Sequence, residues 1–332
     1  MSASHDSRRE AGLEWARTHL DWVPTHIEGI SSDASFRRYF RLSDEQQTVV
    51  LMDAPPDREP VAPFIDVAGR LSPLVNVPSI LAANIDDGFL LLSDLGDTPF
   101  HHALDANNAE ALFDGAINSL IKIQSQARTH GMACYEPALL MRELDLFIDW
   151  LVQRHWSVEP TDAELDEWDH VCAVLIRWAL DQSQVFCHRD YMPRNLMVGE
   201  SVPGILDFQD AVIGPISYDP ICLYRDAFLS WPTARVDDWL EAYRQRARQA
   251  GLDVPEDPNL WRRTCDFMGA QRHLKVIGIF ARIRYRDGKP RYLEDTPRFF
   301  NYLEAAIARN PELASLGRLI DTWSSRRAEP SA

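Results

Sequence analysis

The rhythm of apolar and polar positions changes once along this chain, near Ser93. Before that point the pattern predicts short strands. Residues 8–20 open with a helical period in which Leu13, Trp15, Ala16 and Leu20 are available for packing. The turn-prone run Ser31-Ser32-Asp33-Ala34-Ser35 leads into Phe36-Arg37-Arg38-Tyr39-Phe40-Arg41-Leu42. Its alternation places Phe36, Arg38 and Phe40 on one face and Arg37, Tyr39 and Arg41 on the other. Thr48-Val49-Val50-Leu51-Met52 reads as a second strand, closed by Pro55-Pro56. Residues 61–72 read as a helix. Ile80-Leu81-Ala82 and Phe89-Leu90-Leu91-Leu92 read as a hairpin that turns at Asp86-Asp87-Gly88.

After Ser93 helical periods dominate, over roughly 107–128, 139–154, 162–182, 235–250, 259–285 and 296–309. Only Val185-Phe186-Cys187, Leu196-Met197-Val198 and Gly204 to Phe208 interrupt them as short strands. A strand-rich segment over residues 1–93 and a helical one over residues 94–332 predict an α+β, protein kinase-like two-lobed fold, with a small β-rich N-terminal lobe and a larger helical C-terminal lobe. In such a fold the adenine of a nucleotide lies beside the connecting segment Ser93-Asp94-Leu95-Gly96, which makes Asp94 a candidate nucleotide contact.

The three short strands frame the chemistry. His188-Arg189-Asp190-Tyr191-Met192-Pro193-Arg194-Asn195 is followed by Ile205-Leu206-Asp207-Phe208-Gln209-Asp210. Phosphoryl transfer needs an acceptor for the nucleophile's proton and oxygen ligands for the Mg²⁺ that bridges the phosphates of ATP. Asp190 suits the first role; Asn195 and Asp207 suit the second, because Mg²⁺ takes hard oxygens from one or two carboxylates plus phosphate. His188 and Arg189 read as braces of this loop, and Asp210 as a support. The strand that ordinarily carries a phosphate-binding lysine, Val49-Val50-Leu51-Met52, has none. The chain's lysines are Lys122, Lys275 and Lys289, and the helix after that strand offers Asp66 in place of a glutamate. Arg37, Arg38 or Arg41 could clamp phosphate instead, since arginine binds it bidentately. The small residues Ser32 and Ser35 would let backbone N–H groups approach it.

Composition narrows the partners. A net charge of −16 disfavours nucleic acid and anionic membrane. Scattered cysteines (Cys134, Cys172, Cys187, Cys222 and Cys265) without a C-x-x-C pair suit reduced thiols in the cytoplasm. The start of the chain lacks a signal-peptide pattern, and no apolar run reaches membrane-spanning length. Against the acidic background, residues 261–298 hold ten Lys/Arg and four Asp/Glu. Arg272, Lys275 and Arg282 share one face of the expected helix and are candidate contacts for an anionic substrate. Phe147, Trp150 and Trp156 could stack on a sugar, although aromatic residues at helical spacing usually build a core.

The catalytic residues and the order of the two lobes resemble the aminoglycoside phosphotransferase/choline kinase superfamily. Within it, Ser32 to Arg41, Met52-Asp53-Ala54-Pro55-Pro56, Gly88 to Leu92, Phe208-Gln209-Asp210-Ala211, Gly269 to Arg282 and Arg286-Asp287-Gly288-Lys289 are similar to the bacterial anomeric N-acetylmuramate/N-acetylglucosamine kinases of cell-wall recycling. This resemblance runs from about residue 10 to residue 310. It implies ATP-dependent phosphorylation of an anomeric hydroxyl to the α-1-phosphate, in peptidoglycan recycling towards UDP-N-acetylmuramate. A sugar-1-phosphate nucleotidyltransferase would act next, without an implied stable complex. Other acceptors (aminoglycoside, choline or homoserine) and a non-catalytic nucleotide-binding regulator are the alternatives. Asp207-Phe208-Gln209 in place of D-F-G, with no A-P-E after it, weighs against a protein kinase.

Overall fold

The structure is a computed structural model that describes residues 6–30, 36–199 and 202–327. In chain order the elements are α1 (Ser7–Arg17), β1 (His26–Ile30), β2 (Arg38–Ser43), β3 (Thr48–Asp53), α2 (Ala62–Leu71), β4 (Ile80–Asn84), β5 (Phe89–Ser93), α3 (Phe100–Ala103) and α4 (Ala109–Gln126). There follow α5 (Pro137–Leu146), a π-helix (Phe147–His155), α6 (Asp162–Leu180), β6 (Gln184–Cys187), β7 (Leu196–Met197), β8 (Gly204–Ile205) and β9 (Val212–Pro215). The chain closes with α7 (Tyr218–Tyr224), α8 (Thr233–Gln249), α9 (Pro258–Asp287), α10 (Thr296–Arg309) and α11 (Ala314–Arg326). This is the expected α+β class, with a small antiparallel sheet and a larger helical part.

Two compact units divide the chain. One runs to Ala127 and takes in Arg194–Asp210; the other comprises Arg128–Pro193 and the chain from Ala211 onward. The first is built on an antiparallel sheet of order β1-β2-β3-β5-β4. Alternation puts Phe40, Leu42, Val49, Leu51, Phe89 and Leu91 on one face, where Leu13 and Ala16 of α1 cover them. Gly12 permits that cover: a Cβ there would stand 3.0 Å from the Phe89 ring. Arg8 of α1 and Arg38 of β2 both reach the buried Asp53 carboxylate at the end of β3. The hairpin turn before β5 needs Gly88, whose φ is +74° and whose Cβ would meet the Ala54 carbonyl at 1.9 Å. At the far end of the chain's path through this unit, β7 pairs with β8, and isolated bridges tie Gly204 to Asn76 and Met197 to Pro99.

The second unit is organised around α9, which is buried at nearly every position from Trp261 to Ile283. A helix that is covered all round must sit inside a core. The aromatic side chains Phe147, Trp168 and Trp323 pack together, with Phe147 stacked on Trp168 at 5.6 Å. Phe147 and Trp156 thus belong to that core, and Trp150 packs against it. The expected helix over 139–154 is α5 running on into the π-helix, a widened turn that presents Phe147, Ile148, Leu151 and Val152 inward. Among the described residues no helix is long and apolar enough to cross a membrane.

Candidate functional site

Strand β6 carries the chain to Cys187, beyond which His188-Arg189-Asp190 must reverse direction. Arg189 makes the reversal with φ +72°, in the left-handed region that non-glycine residues seldom occupy. One buried carboxylate holds it there. Asp219, near the start of α7, accepts the His188 N–H at 2.7 Å and the Arg189 N–H at 2.9 Å. Burial pushes the Asp219 carboxyl above its ordinary value, against the pull of His188 and these two donors. His188 is wholly buried; its ring lies edge-on to Tyr191, and its Nδ1 is 3.3 Å from the Asp190 N–H. Asp190 itself is half-buried, and its carbonyl accepts the Met192 N–H at 2.9 Å.

Behind the loop, Arg189 donates to Glu143 of α5 at 2.7 Å and lies over the Tyr135 ring. Lys275 of α9 meets the same Glu143 at 2.7 Å and the Tyr218 hydroxyl at 3.0 Å. Burial opposes ionisation of Glu143, but the Lys275 and Arg189 charges outweigh it and hold the carboxyl below its ordinary value. Arg272 is buried and bonds a thiol and a carbonyl, Cys222 Sγ at 2.8 Å and Arg225 O at 3.2 Å. The carboxylates of Asp226 and Asp190 lie within its electrostatic reach. Arg282, ten residues further along α9, is half-buried with no hydrogen-bond partner at Nε, and burial lowers its guanidinium below the ordinary value.

In the other unit the β7–β8 pairing brings the remaining chemistry together. Asn195 ends a short 3-10 turn before β7, and Asp207 follows β8 with φ +60°. The Leu206 N–H donates to the Asn195 main-chain carbonyl at 2.9 Å, and the Asn195 side-chain Nδ2 donates to an Asp207 carboxylate oxygen at 3.5 Å. Gln209 Nε2 donates to the other Asp207 oxygen at 2.8 Å and approaches Asp210 at 3.4 Å. Phe208, wholly buried against Phe64 of α2, anchors the segment. The donor set of one carboxylate and one amide oxygen fits Mg²⁺, which draws most of its ligands from water and phosphate. Among the described residues no cluster of three or more His, Cys, Asp or Glu side chains could hold a metal ion.

The arginines of β2 and the residues leading into it are placed as follows. Arg37 pairs with Glu59 at 2.7 Å. Arg38 bonds Asp53 and Asp6. Arg41 bonds Asp94 at 2.6 Å and the Gly96 carbonyl at 2.7 Å. Burial opposes the charge on Asp94, yet the Arg41, Thr48 and Gly96 donors hold its carboxyl below the ordinary value. Ser32 and Ser35 lie outside the described residues. Tyr39 is half-buried, and its loss of solvent raises its phenol, with the charge of Asp207 adding to the rise and that of Arg37 opposing it.

Asp219 and Glu143 are absent from the sequence reading. Each carries a weak signal: Asp219 sits in the apolar run Tyr218 to Tyr224, and Glu143 interrupts the helical apolar stripe Leu140, Leu144, Phe147. An acid in such a place must be paired.

Comparison with known proteins matches residues 26–267 to the model of the phosphotransferase enzyme family. A Pseudomonas aeruginosa protein named N-acetylmuramate/N-acetylglucosamine kinase is 52% identical over 90% of this chain and 88% of its own length. Proteins of the same name from Pseudomonas putida and Neisseria meningitidis are 51% and 44% identical; the alignments cover 95% and 92% of this chain and 96% and 93% of theirs. Among solved structures, ADP-bound aminoglycoside phosphotransferase APH(2'')-Ib superposes with a TM-score of 0.60 at 14% identity, covering 89% of this chain and 97% of that one. Choline kinase LicA from Streptococcus pneumoniae gives 0.61 at 12% identity, covering 90% and 100%. At these identities the structural likeness establishes the kinase-like fold and no more.

Proposed function

Because the chain belongs to the phosphotransferase enzyme family, we propose that it transfers the γ-phosphoryl group of ATP to the anomeric hydroxyl of N-acetylmuramate and N-acetylglucosamine, giving the α-1-phosphate. The observation that carries the sugar is the shared name of relatives 44–52% identical over nearly the whole chain. Asp190 accepts or orients the proton of the attacking hydroxyl. An anomeric hydroxyl is more acidic than an ordinary alcohol, so a half-buried carboxylate suffices, and positioning and charge neutralisation supply most of the rate. Asn195 and Asp207 would hold Mg²⁺, which neutralises charge on the transferring phosphates when bound.

On the nucleotide side we assign Ser32, Ser35, Arg37, Arg38 and Asp94. Arg37 is the favoured replacement for the missing lysine. Its partner Glu59 supplies the acid that such a lysine ordinarily has. On the sugar side we assign Arg272, Lys275 and Arg282. Arg272 and Lys275 are buried and Arg189 is half-buried; Arg189 and Lys275 meet the Glu143 carboxylate directly, whereas Arg272 bonds a thiol and a carbonyl. A sugar bearing a lactyl carboxylate would supply the complement. The protein would work in the cytoplasm, ahead of a nucleotidyltransferase that converts the sugar 1-phosphate to a UDP-sugar in peptidoglycan recycling.

The test is ATP consumption with N-acetylmuramate, N-acetylglucosamine, kanamycin and choline side by side, with the product's anomeric phosphate identified by NMR. Turnover of either amino sugar at C1 supports the reading. Turnover of kanamycin or choline alone, or of nothing, refutes it. Alanine in place of Arg272 or Arg282 should raise KM for N-acetylmuramate by about 10- to 150-fold where that residue meets the carboxylate, and leave N-acetylglucosamine little changed; for Lys275, which also holds Glu143, such a KM effect would come on top of a kcat loss common to both sugars.

A further inference from the structure

The Glu143 carboxylate is saturated. Its Oε1 takes both cations, Arg189 and Lys275, each at 2.7 Å. Its Oε2 takes two neutral donors, the Tyr135 hydroxyl and the Gln271 amide, the latter at 3.2 Å. The carboxylate is buried, so water does not readily replace these donors at its oxygens. The partners come from separate places in the chain: Tyr135 precedes α5, Arg189 belongs to the catalytic loop, and Lys275 and Gln271 lie one turn apart on α9.

Helix packing fixes that meeting point. α5 and α9 cross where Gly278 lies against Leu146, so close that a Cβ on Gly278 would fall 2.4 Å from the Leu146 carbonyl carbon. One turn back from this crossing on each helix are Glu143 and Lys275, and the next turn of α9 brings Gln271. The loop residue they grip is Arg189, held in the left-handed region immediately before Asp190. Asp219 holds the Arg189 backbone from one side, and Glu143 holds its guanidinium from the other.

We propose that Glu143 is a positioning residue for phosphoryl transfer: through Arg189 it fixes the backbone that aims Asp190, and the α5–α9 crossing at Gly278 sets its place. This rests on the kinase reading above for the transfer step, while its geometric half stands independently. It predicts more than a loss of stability. A glutamine at 143 offers one acceptor oxygen and an NH₂, so either the two cations or the two neutral donors must lose their partner. The loop then loses one of its two anchors.

The experiment compares the wild type with Glu143→Gln and Glu143→Asp, each assayed well below its melting temperature. For Glu143→Gln, kcat should fall about 100-fold, as for misplacement of a reacting group by about 1 Å, with KM for ATP and sugar within about threefold. Glu143→Asp, which restores the charge and both oxygens, should recover part of kcat. Amide hydrogen exchange provides a readout that needs no substrate: residues 188–192 should exchange at least about tenfold faster in Glu143→Gln, with the rest of the second unit little changed. Folded Glu143→Gln with kcat within about threefold of wild type, or with unaltered exchange over 188–192, overturns the proposal. Should the wild type phosphorylate neither sugar, the kinase reading fails, and the exchange data alone decide whether Glu143 anchors the loop.

Discussion

Adding one methyl group at Gly278 tests the helix crossing directly. An alanine Cβ would stand 2.4 Å from the Leu146 carbonyl carbon, 2.5 Å from its oxygen and 2.7 Å from its Cβ. Ordinary contact begins near 3.4 Å, so the two helices must part by about 1 Å, and the obstructing atoms are mostly backbone that cannot rotate away. Overpacking of this kind costs about 1–3 kcal/mol. A clash with backbone belongs at the upper end, and alanine's better helix propensity returns about 1 kcal/mol. The net is about 2 kcal/mol of destabilisation. For a unit of this size that corresponds to a fall in Tm of about 4–8 °C, measurable by circular dichroism. Gly69, on the exposed side of α2, has nothing within 4 Å of its would-be Cβ. The same substitution there should be neutral or raise stability by up to about 1 kcal/mol. Gly278→Ala should also lower kcat, because Lys275 and Gln271 move away from Glu143. A Gly278→Ala protein with unchanged Tm and unchanged kcat would refute the crossing and everything hung on it.

Asp190→Asn should abolish turnover and leave ATP affinity nearly intact, measured by kinetics and equilibrium binding; near wild-type turnover removes Asp190 from the mechanism. Asn195→Ala and Asp207→Ala should raise the Mg²⁺ concentration needed for half-maximal activity as well as lower kcat. An unchanged Mg²⁺ requirement in both would place the metal elsewhere. The pH dependence of stability carries a sign: Glu143 is held below its ordinary pKa, so its stabilisation is complete above the ordinary glutamate range and is lost as pH falls through the lowered value. The stability difference between wild type and Glu143→Gln should therefore be flat from about pH 8 to 5 and shrink in more acidic urea titrations. A difference that grows with acid contradicts the assignment.

What could be read from the chain alone followed contiguity. The loop residues Asp190 and Asn195 are neighbours in sequence, and the apolar stretch before Asp207 marks its strand, so the pattern points to them without a fold. Glu143 and Asp219 act on that loop across 46 and 30 positions, a pairing that no local pattern carries. The basic face expected on 259–285 illustrates the same limit. Its period is helical and the helix exists, but Lys275 and Arg272 are buried against Glu143, Tyr218 and Cys222. A buried cation held by remote partners looks the same in sequence as one facing water. The edge strand β1 has no strand signature in the sequence, because His26-Ile27-Glu28-Gly29-Ile30 is mostly exposed and lacks a clean alternation, and α7 and α11 are likewise elements that the sequence pattern does not predict. The boundary drawn at residue 93 follows the change of secondary structure, whereas the compact units follow packing: α4 and the β7–β8 segment cluster with the sheet.

That clustering has a consequence for synthesis on the ribosome. The first unit draws on Arg194–Asp210, so its packing is incomplete when Ala127 emerges. Until then Phe64 lacks Phe208, Asn76 lacks its bridge to Gly204, and Pro99 lacks Met197. The missing piece arrives only after Asp210 has been made, about 4–17 s later at translation rates of 5–20 residues per second. During that interval the second unit's first segment, Arg128–Pro193, is already outside and equally unfinished. Neither unit can be completed before the other has begun. The nascent chain therefore exposes apolar surface of both at once.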